Sequence, residues 1–240
     1  MLLWAVCASA GEPLVFQTTS KVWIDPQGTP TKVEVSERVT ESVRVHIAKQ
    51  VSAWRFEPPT VNGVASEGIT YLSLRICAVE TGQRDALRLA VEYRGNGPGN
   101  PEGLPNLPPP RYPAGAASRG ITGAWHVEYT IGADGRATVD SVRPEKKTQE
   151  GRNYFKPALE QWLEHFVFLP EQVAGRPVST RSNIRVKFSM GGESKQQRLL
   201  SAAEREEKNS EACLAAKGEE SNTLTPVALD SPFKLLDVGG

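Results

Sequence analysis

Residues 54–63 read WRFEPPTVNG, and residues 166–175 read FVFLPEQVAG. Aligned without a gap, they share an aromatic (Trp54, Phe166), then Phe56 and Phe168, Pro58 and Pro170, a valine, and Gly63 and Gly175. The offset is 112 residues throughout. One short phrase written twice, so far apart, marks an internal repeat. Each proline fixes the turn out of the element before it, and Gly63 and Gly175 suit a left-handed turn position.

Outward from the second phrase, Trp125, Val127, Tyr129 and Ile131 alternate with polar neighbours, the period of a strand with one buried face. Asp134-Gly135 follows, a strong hairpin signal, and residues 137–142 return as a second strand. Phe155, Ala158, Leu159, Trp162, Leu163 and Phe166 then fall at helical spacing on one apolar stripe. Pro157 is placed near that helix's start, where a missing N–H costs little. Ile184, Val186 and Phe188 alternate with Arg185 and Lys187 in a third strand. Outward from the first phrase the same order appears. Strand residues 22–24 lead to a turn at Gly28 and a returning strand over 31–35. A helical stripe runs through Val43, Ile47, Val51 and Trp54, and a last strand carries Leu72, Leu74 and Ile76. Gly28 matches Gly135 at an offset of 107, so the second copy is five residues longer between hairpin and helix.

Leu87, Leu89, Val91 and Tyr93 alternate as one more strand, an edge partner for the first sheet. Residues 95–110, rich in Pro and Gly, read as a linker that is neither helix nor sheet. Residues 195–217 suit a solvated helix and residues 218–240 read as disordered. Residues 1–10 are apolar, uncharged and end in Ala8-Ser9-Ala10, the pattern of a cleaved export leader, with a buried strand or a lipid anchor on Cys7 as alternatives. The expected organisation is therefore a leader (1–10), a first unit (13–94), a linker (95–110), a second unit (111–190) and a polar tail (191–240).

Lys plus Arg number 28 and Asp plus Glu 28, so no net field draws nucleic acid or a membrane surface. No apolar run approaches the roughly 20 residues a spanning helix needs. His46, His126 and His165 fall on three different elements without Cys or carboxylate at metal-ligand spacing. Neither a phosphate loop nor a nucleophile elbow is present. No metal, cofactor or enzymatic activity is expected. Of three cysteines, Cys77 is read as core, and a bond between Cys77 and Cys213 is not expected. Trp54, Phe56, Trp162 and Phe168 are read as core, and Trp125 as a partly exposed contact residue.

The second copy resembles the C-terminal domain of TonB-type energy transducers. The resemblance rests on Tyr112-Pro113 opening a short helix, Gly120 and Gly123 before the strand, and Asp134-Gly135 in the hairpin. It also rests on Phe166-x-Phe168-x-Pro170, Gly175-Arg176-Pro177-Val178 and the alternating last strand. The first copy keeps Trp54-Arg55-Phe56-Glu57-Pro58 but lacks the Tyr-Pro start. The resemblance implies an α+β fold of two small domains, each a three-stranded antiparallel sheet with a helix on one face. It also implies a periplasmic protein-binding module that adds an extended segment of an outer-membrane transporter to a sheet edge.

Strand addition completes a row of unpaired N–H and C=O groups, with alternate side chains setting preference. The candidate edge is the last strand: Ser182, Asn183, Ile184, Arg185, Val186, Lys187 and Phe188. Arg181, Arg185 and Lys187 would favour an acidic partner, or would only solvate the outer face. With no anchor helix and no long Pro-rich arm, energising of transport is not expected. The alternative is an assembly protein whose copies pair with each other or across a homodimer.

Overall fold

The computed structural model describes residues 14–80, 87–104, 106–146, 150–190 and 227–237. The leader and the helix expected over 195–217 lie outside the described residues. The fold is α+β, with antiparallel sheets and short helices.

The first half begins with β1 (Leu14–Ile24), β2 (Pro30–Val35) and α1 (Glu41–Ser52). After them come β3 (Arg55–Glu57), the hairpin β4 (Thr60–Val61) and β5 (Val64–Ala65), β6 (Gly68–Glu80) and β7 (Leu87–Gly97). The second half runs α2 (Ala114–Ala117), β8 (Gly123–Ile131), β9 (Ala137–Pro144), α3 (Arg152–Glu164), the hairpin β10 (Gln172–Val173) and β11 (Arg176–Pro177), and β12 (Thr180–Phe188). Two short strands follow, β13 (Val227–Ala228) and β14 (Lys234–Asp237).

The two halves share order and register. Ser20 faces Val35 and Leu72, and at the repeat offsets Val127 faces Val142 and Ile184. The helices end alike, with Trp54 N–H donating to Val51 O and Phe166 N–H to Leu163 O, both at 3.1 Å. The aromatic phrase then closes over the first turn: Phe56 N–H donates to Gly28 O at 2.9 Å, and Phe168 N–H to Gly135 O at 2.8 Å. That approach explains both glycines. A Cβ on Gly28 would lie 1.9 Å from Phe56 O, and one on Gly135 would lie 2.3 Å from Phe168 O. The valine-x-Gly ends of the phrases form two-residue turns with positive φ at both centres, 51° and 79° at Asn62-Gly63, 50° and 72° at Ala174-Gly175.

Each half buries its own apolar cluster. The first packs Val22, Ile24, Leu72, Leu74 and Ile76 against Ile47, Val51, Trp54 and Phe56. The second packs Val127, Tyr129, Ile184 and Val186 against Phe155, Leu159, Leu163 and Phe168. Pro157 is the sixth residue of α3, so it stands beyond the first turn, against expectation, on an exposed face.

The sheets are larger than two sets of three. β7 pairs along β6, as its alternation suggests, and extends into residues 95–97, the start of the expected linker. Gly99, also in that stretch, exchanges hydrogen bonds with Leu169, both 2.8 Å. β10 crosses between halves and pairs with the start of β6, Gln172 opposite Ile69 and Val173 opposite Gly68. Part of the tail expected to be disordered is ordered instead: β13 pairs with β12 and β14 with β3. Phe233 between them is 1% exposed, inside the first apolar cluster. Burying that ring, about 1.5–3 kcal/mol, outweighs the polar composition around it. Cys77 is buried, as expected of a core position, at 5% exposed, and it is disulfide-bonded. No described helix is long and apolar enough to cross a membrane.

Candidate partner-binding edge

β12 follows its sequence pattern. Ser182, Ile184, Val186 and Phe188 turn into the second cluster, while Arg181, Asn183, Arg185 and Lys187 lie on the other face. Phe188 stacks on Phe155 at 4.5 Å between centroids, and Tyr112 packs edge-on against Phe188 at 5.4 Å and Phe155 at 5.9 Å. Tyr112 is locked by its hydroxyl, which donates to Ile121 O at 2.6 Å. Pro113 caps the short α2, as the Tyr-Pro signal suggests.

One side of β12 pairs with β8 along its whole length. The other side is partly taken by this protein's own tail. Ser182 and Asn183 face Ala228 and Val227. Leu229 N–H donates to Arg181 O at 2.7 Å, and Asp230 Oδ1 accepts Arg181 N–H at 2.6 Å. The backbone polar groups of Arg181 therefore point away from β8, and by strand alternation so do those of Lys187. β13 stops at Asn183, and no described strand runs beside Val186, Lys187 and Phe188 on that side. A groove of about 260 Å³ flanks this stretch, with Pro109, Pro110 and Tyr112 forming its other wall.

Two of the three expected cations are already engaged within the molecule. Arg181 Nε donates to Asp230 Oδ2 at 2.8 Å, and Arg185 reaches Glu145 Oε2 at 2.9 Å. The hydrogen bond from Arg185 holds the Glu145 carboxyl below the usual range. Lys187 is exposed. Of the three cations expected to favour an acidic partner, Lys187 is the one not engaged by Asp230 or Glu145.

The repeated-phrase residues are structural. Trp54, Phe56 and Phe168 are buried, whereas Trp162 and Phe166 are only partly covered. The Trp162 indole N–H donates outward to Pro108 O at 2.9 Å. Pro58 and Pro170 follow β3 and its counterpart, and Asp134 Oδ1 accepts Arg136 N–H at 3.0 Å inside the hairpin turn. Gly123 opens β8. Trp125, expected to be partly exposed, is 1% exposed and packs on Phe155 at 5.4 Å. Its inward position in β8 decides this. His46 bonds Gln50 at 3.0 Å and His165 bonds the Gln161 carbonyl, each within its own helix region, and His126 sits opposite Arg185 on β8. Among the described residues no three His, Cys, Asp or Glu side chains gather as a metal site.

A buried polar cluster that the sequence does not reveal joins the halves to the tail. Glu171, wholly buried, accepts from Thr70 Oγ1 at 2.6 Å, Ser231 Oγ at 2.7 Å and Thr180 Oγ1 at 3.0 Å. Asn96 Nδ2 donates to Ser231 Oγ at 2.7 Å and to Phe233 O at 3.2 Å. Burial pushes the Glu171 carboxyl above its usual range, and these hydrogen bonds pull it partly back. The one available signal was the repeat itself, because Glu171 stands where the first copy has Pro59. Set against family models and curated proteins, the sequence matches none of either.

Proposed function

We propose that this protein is a TonB-like, periplasmic protein-binding module. It takes an extended segment of a membrane transporter as an added strand on β12. The observation that supports this reading most is the outer side of residues 186–188, where backbone groups of a short sheet face a groove walled by Pro109, Pro110 and Tyr112. Backbone pairing supplies affinity there with little dependence on sequence, and Lys187 adds a preference for acidic side chains. The motif resemblance over residues 111–190 supports the class of partner. The disulfide at Cys77 suits an oxidising compartment such as the periplasm.

A second reading is an assembly or structural protein. It is favoured by β10 pairing with β6 and by the tail lying on β12, which consume edges inside the molecule. Titrating the isotope-labelled full-length protein with synthetic peptides copied from transporter N-terminal segments separates the two. Amide shifts concentrated at Val186, Lys187, Phe188 and Tyr112 are expected for strand addition. An edge that stays silent at saturating peptide refutes it and leaves the assembly reading.

A further inference from the structure

The repeat supplies its own precedent for how one copy joins the next. The second copy's hairpin docks on the last strand of the first copy, with Gln172 opposite Ile69 and Val173 opposite Gly68. The first copy carries the same hairpin. Thr60 pairs with Ala65 and Val61 with Val64, as Gln172 pairs with Pro177 and Val173 with Arg176. Ser66 N–H donates to Pro59 O at 2.9 Å, as Val178 N–H donates to Glu171 O at 2.9 Å. With that bond made at Pro59, Thr60 turns its own N–H and C=O away from β5. Yet among the described residues this hairpin pairs with no further strand, and Val61 and Val64 are 41% and 68% exposed.

Moved on by the repeat offset, the docking register sets Thr60 opposite Arg181 and Val61 opposite Thr180. In the intact protein those positions are already answered. Leu229 N–H and the Asp230 carboxylate satisfy the backbone carbonyl and amide of Arg181. The tail also closes the other end. Leu169 pairs with Gly99, and its first-copy counterpart Glu57 pairs with Lys234. Ala228 lies so close to β7 that a Cβ on Gly97 would meet the Ala228 Cβ at 2.7 Å, and Ser231 enters the Glu171 cluster. Residues 227–237 thus hold the acceptor position at Arg181 and the β3 edge at Glu57, while among the described residues the 60–65 hairpin stays unpaired.

We propose that residues 227–237 are an end cap that closes the two-copy array, and that once the cap lifts, the hairpin over residues 60–65 docks on Thr180 and Arg181 of a second copy of this protein. Such a contact joins different surfaces, so it extends head to tail rather than closing as a symmetric dimer. Terminal caps serve this purpose in stacked repeats, where an uncovered end invites the next unit. The proposal stands apart from any transporter partner, since donor and acceptor both belong to this protein.

The test is sedimentation velocity of the full-length protein from micromolar to millimolar concentration. The unaltered protein is expected to stay monomeric. Leu229→Pro with Asp230→Ala, which removes both tail bonds to the Arg181 backbone and so lifts β13, is expected to raise the average mass at least about twofold, and past the dimer as concentration grows. Adding Thr60→Pro, which removes the outward N–H of the donor, is expected to restore the monomer. A lifted variant that remains monomeric, or one whose association ignores Thr60→Pro, overturns the proposal. Should the proline variant lose its melting transition, Asp230→Ala alone carries the test by amide exchange. The Arg181 amide then exchanges faster in dilute solution and regains protection at high concentration, unless Thr60→Pro is also present. Protection that does not depend on concentration refutes the contact.

Discussion

Replacing Phe233 by alanine is the most revealing single perturbation of the tail. The ring is 1% exposed within the first apolar cluster and lies against Gly68, where an added Cβ would sit 2.5 Å from its Cζ. Truncating a buried Phe to Ala costs about 3–5 kcal/mol, from lost transfer energy and the cavity left behind. The other anchors of residues 227–237 are polar: Ser231 bonds Glu171 and Asn96, and Asn96 donates to Phe233 O. The ladder bonds of two short strands contribute roughly 0.5–1.5 kcal/mol each. The exposed Arg181–Asp230 pair adds at most about 1 kcal/mol. Against these stands an ordering entropy of about 1–2 kcal/mol for each residue fixed. Without the ring the segment is expected to detach while both apolar clusters persist. The readout is hydrogen exchange at the Leu229 amide, four residues before the ring, which bonds Arg181 O on β12 rather than the first cluster. A loss of at least about 3 kcal/mol speeds that exchange by about a hundredfold or more. If the melting temperature falls while Leu229 exchange is unchanged, Phe233 only fills the core and the tail is held by something else.

Three further outcomes follow from named contacts. Gly135→Ala is expected to lower stability by about 2 kcal/mol or more, since its Cβ would sit 2.3 Å from a carbonyl oxygen at a φ of 79°, and urea unfolding measures it. Ala174→Gly is expected to raise stability by about 1 kcal/mol by relieving a φ of 50° at a residue with a Cβ, read in the same assay. For Glu171, burial raises the folded carboxyl above its ordinary 4.5. Its contribution is therefore full below that value and is lost as pH rises through the folded one. Glu171→Gln cannot ionise, so the stability difference between variant and parent is expected to grow from the ordinary carboxyl value of 4.5 upward in pH. A difference that is flat with pH contradicts the burial of that carboxyl.

Much of the local structure was legible because it is written in short-range chemistry. Asp134-Gly135 and the alternation from Trp125 to Ile131 mark a hairpin, and the Phe155–Leu163 stripe marks a helix that buries Phe155, Leu159 and Leu163. The repeated phrase locates the turn, the crossing over Gly28 and Gly135, and the second hairpin. What stays hidden depends on distant partners. Val227-Ala228 is too short to show a period, yet β12 makes it a strand. Phe233 sits in a polar tail and reads as exposed until the first cluster receives it. Glu171 has the character of a surface carboxylate, and only Thr70, Thr180 and Ser231, far apart in sequence, show otherwise. The candidate edge falls on a strand with one side unpaired over residues 186–188, but the tail covering Ser182 and Asn183 could not be foreseen from β12 itself.

Amide hydrogen exchange along β12 tests the binding edge most directly, with and without an acidic transporter-derived peptide. Expected in the free protein are slow exchange at Arg181 and Asn183, under the tail, and fast exchange at Lys187, followed by strong protection of Lys187 when the peptide is added. A Lys187 amide already slow in the free protein, or one that stays fast at saturating peptide, would contradict strand addition at this edge.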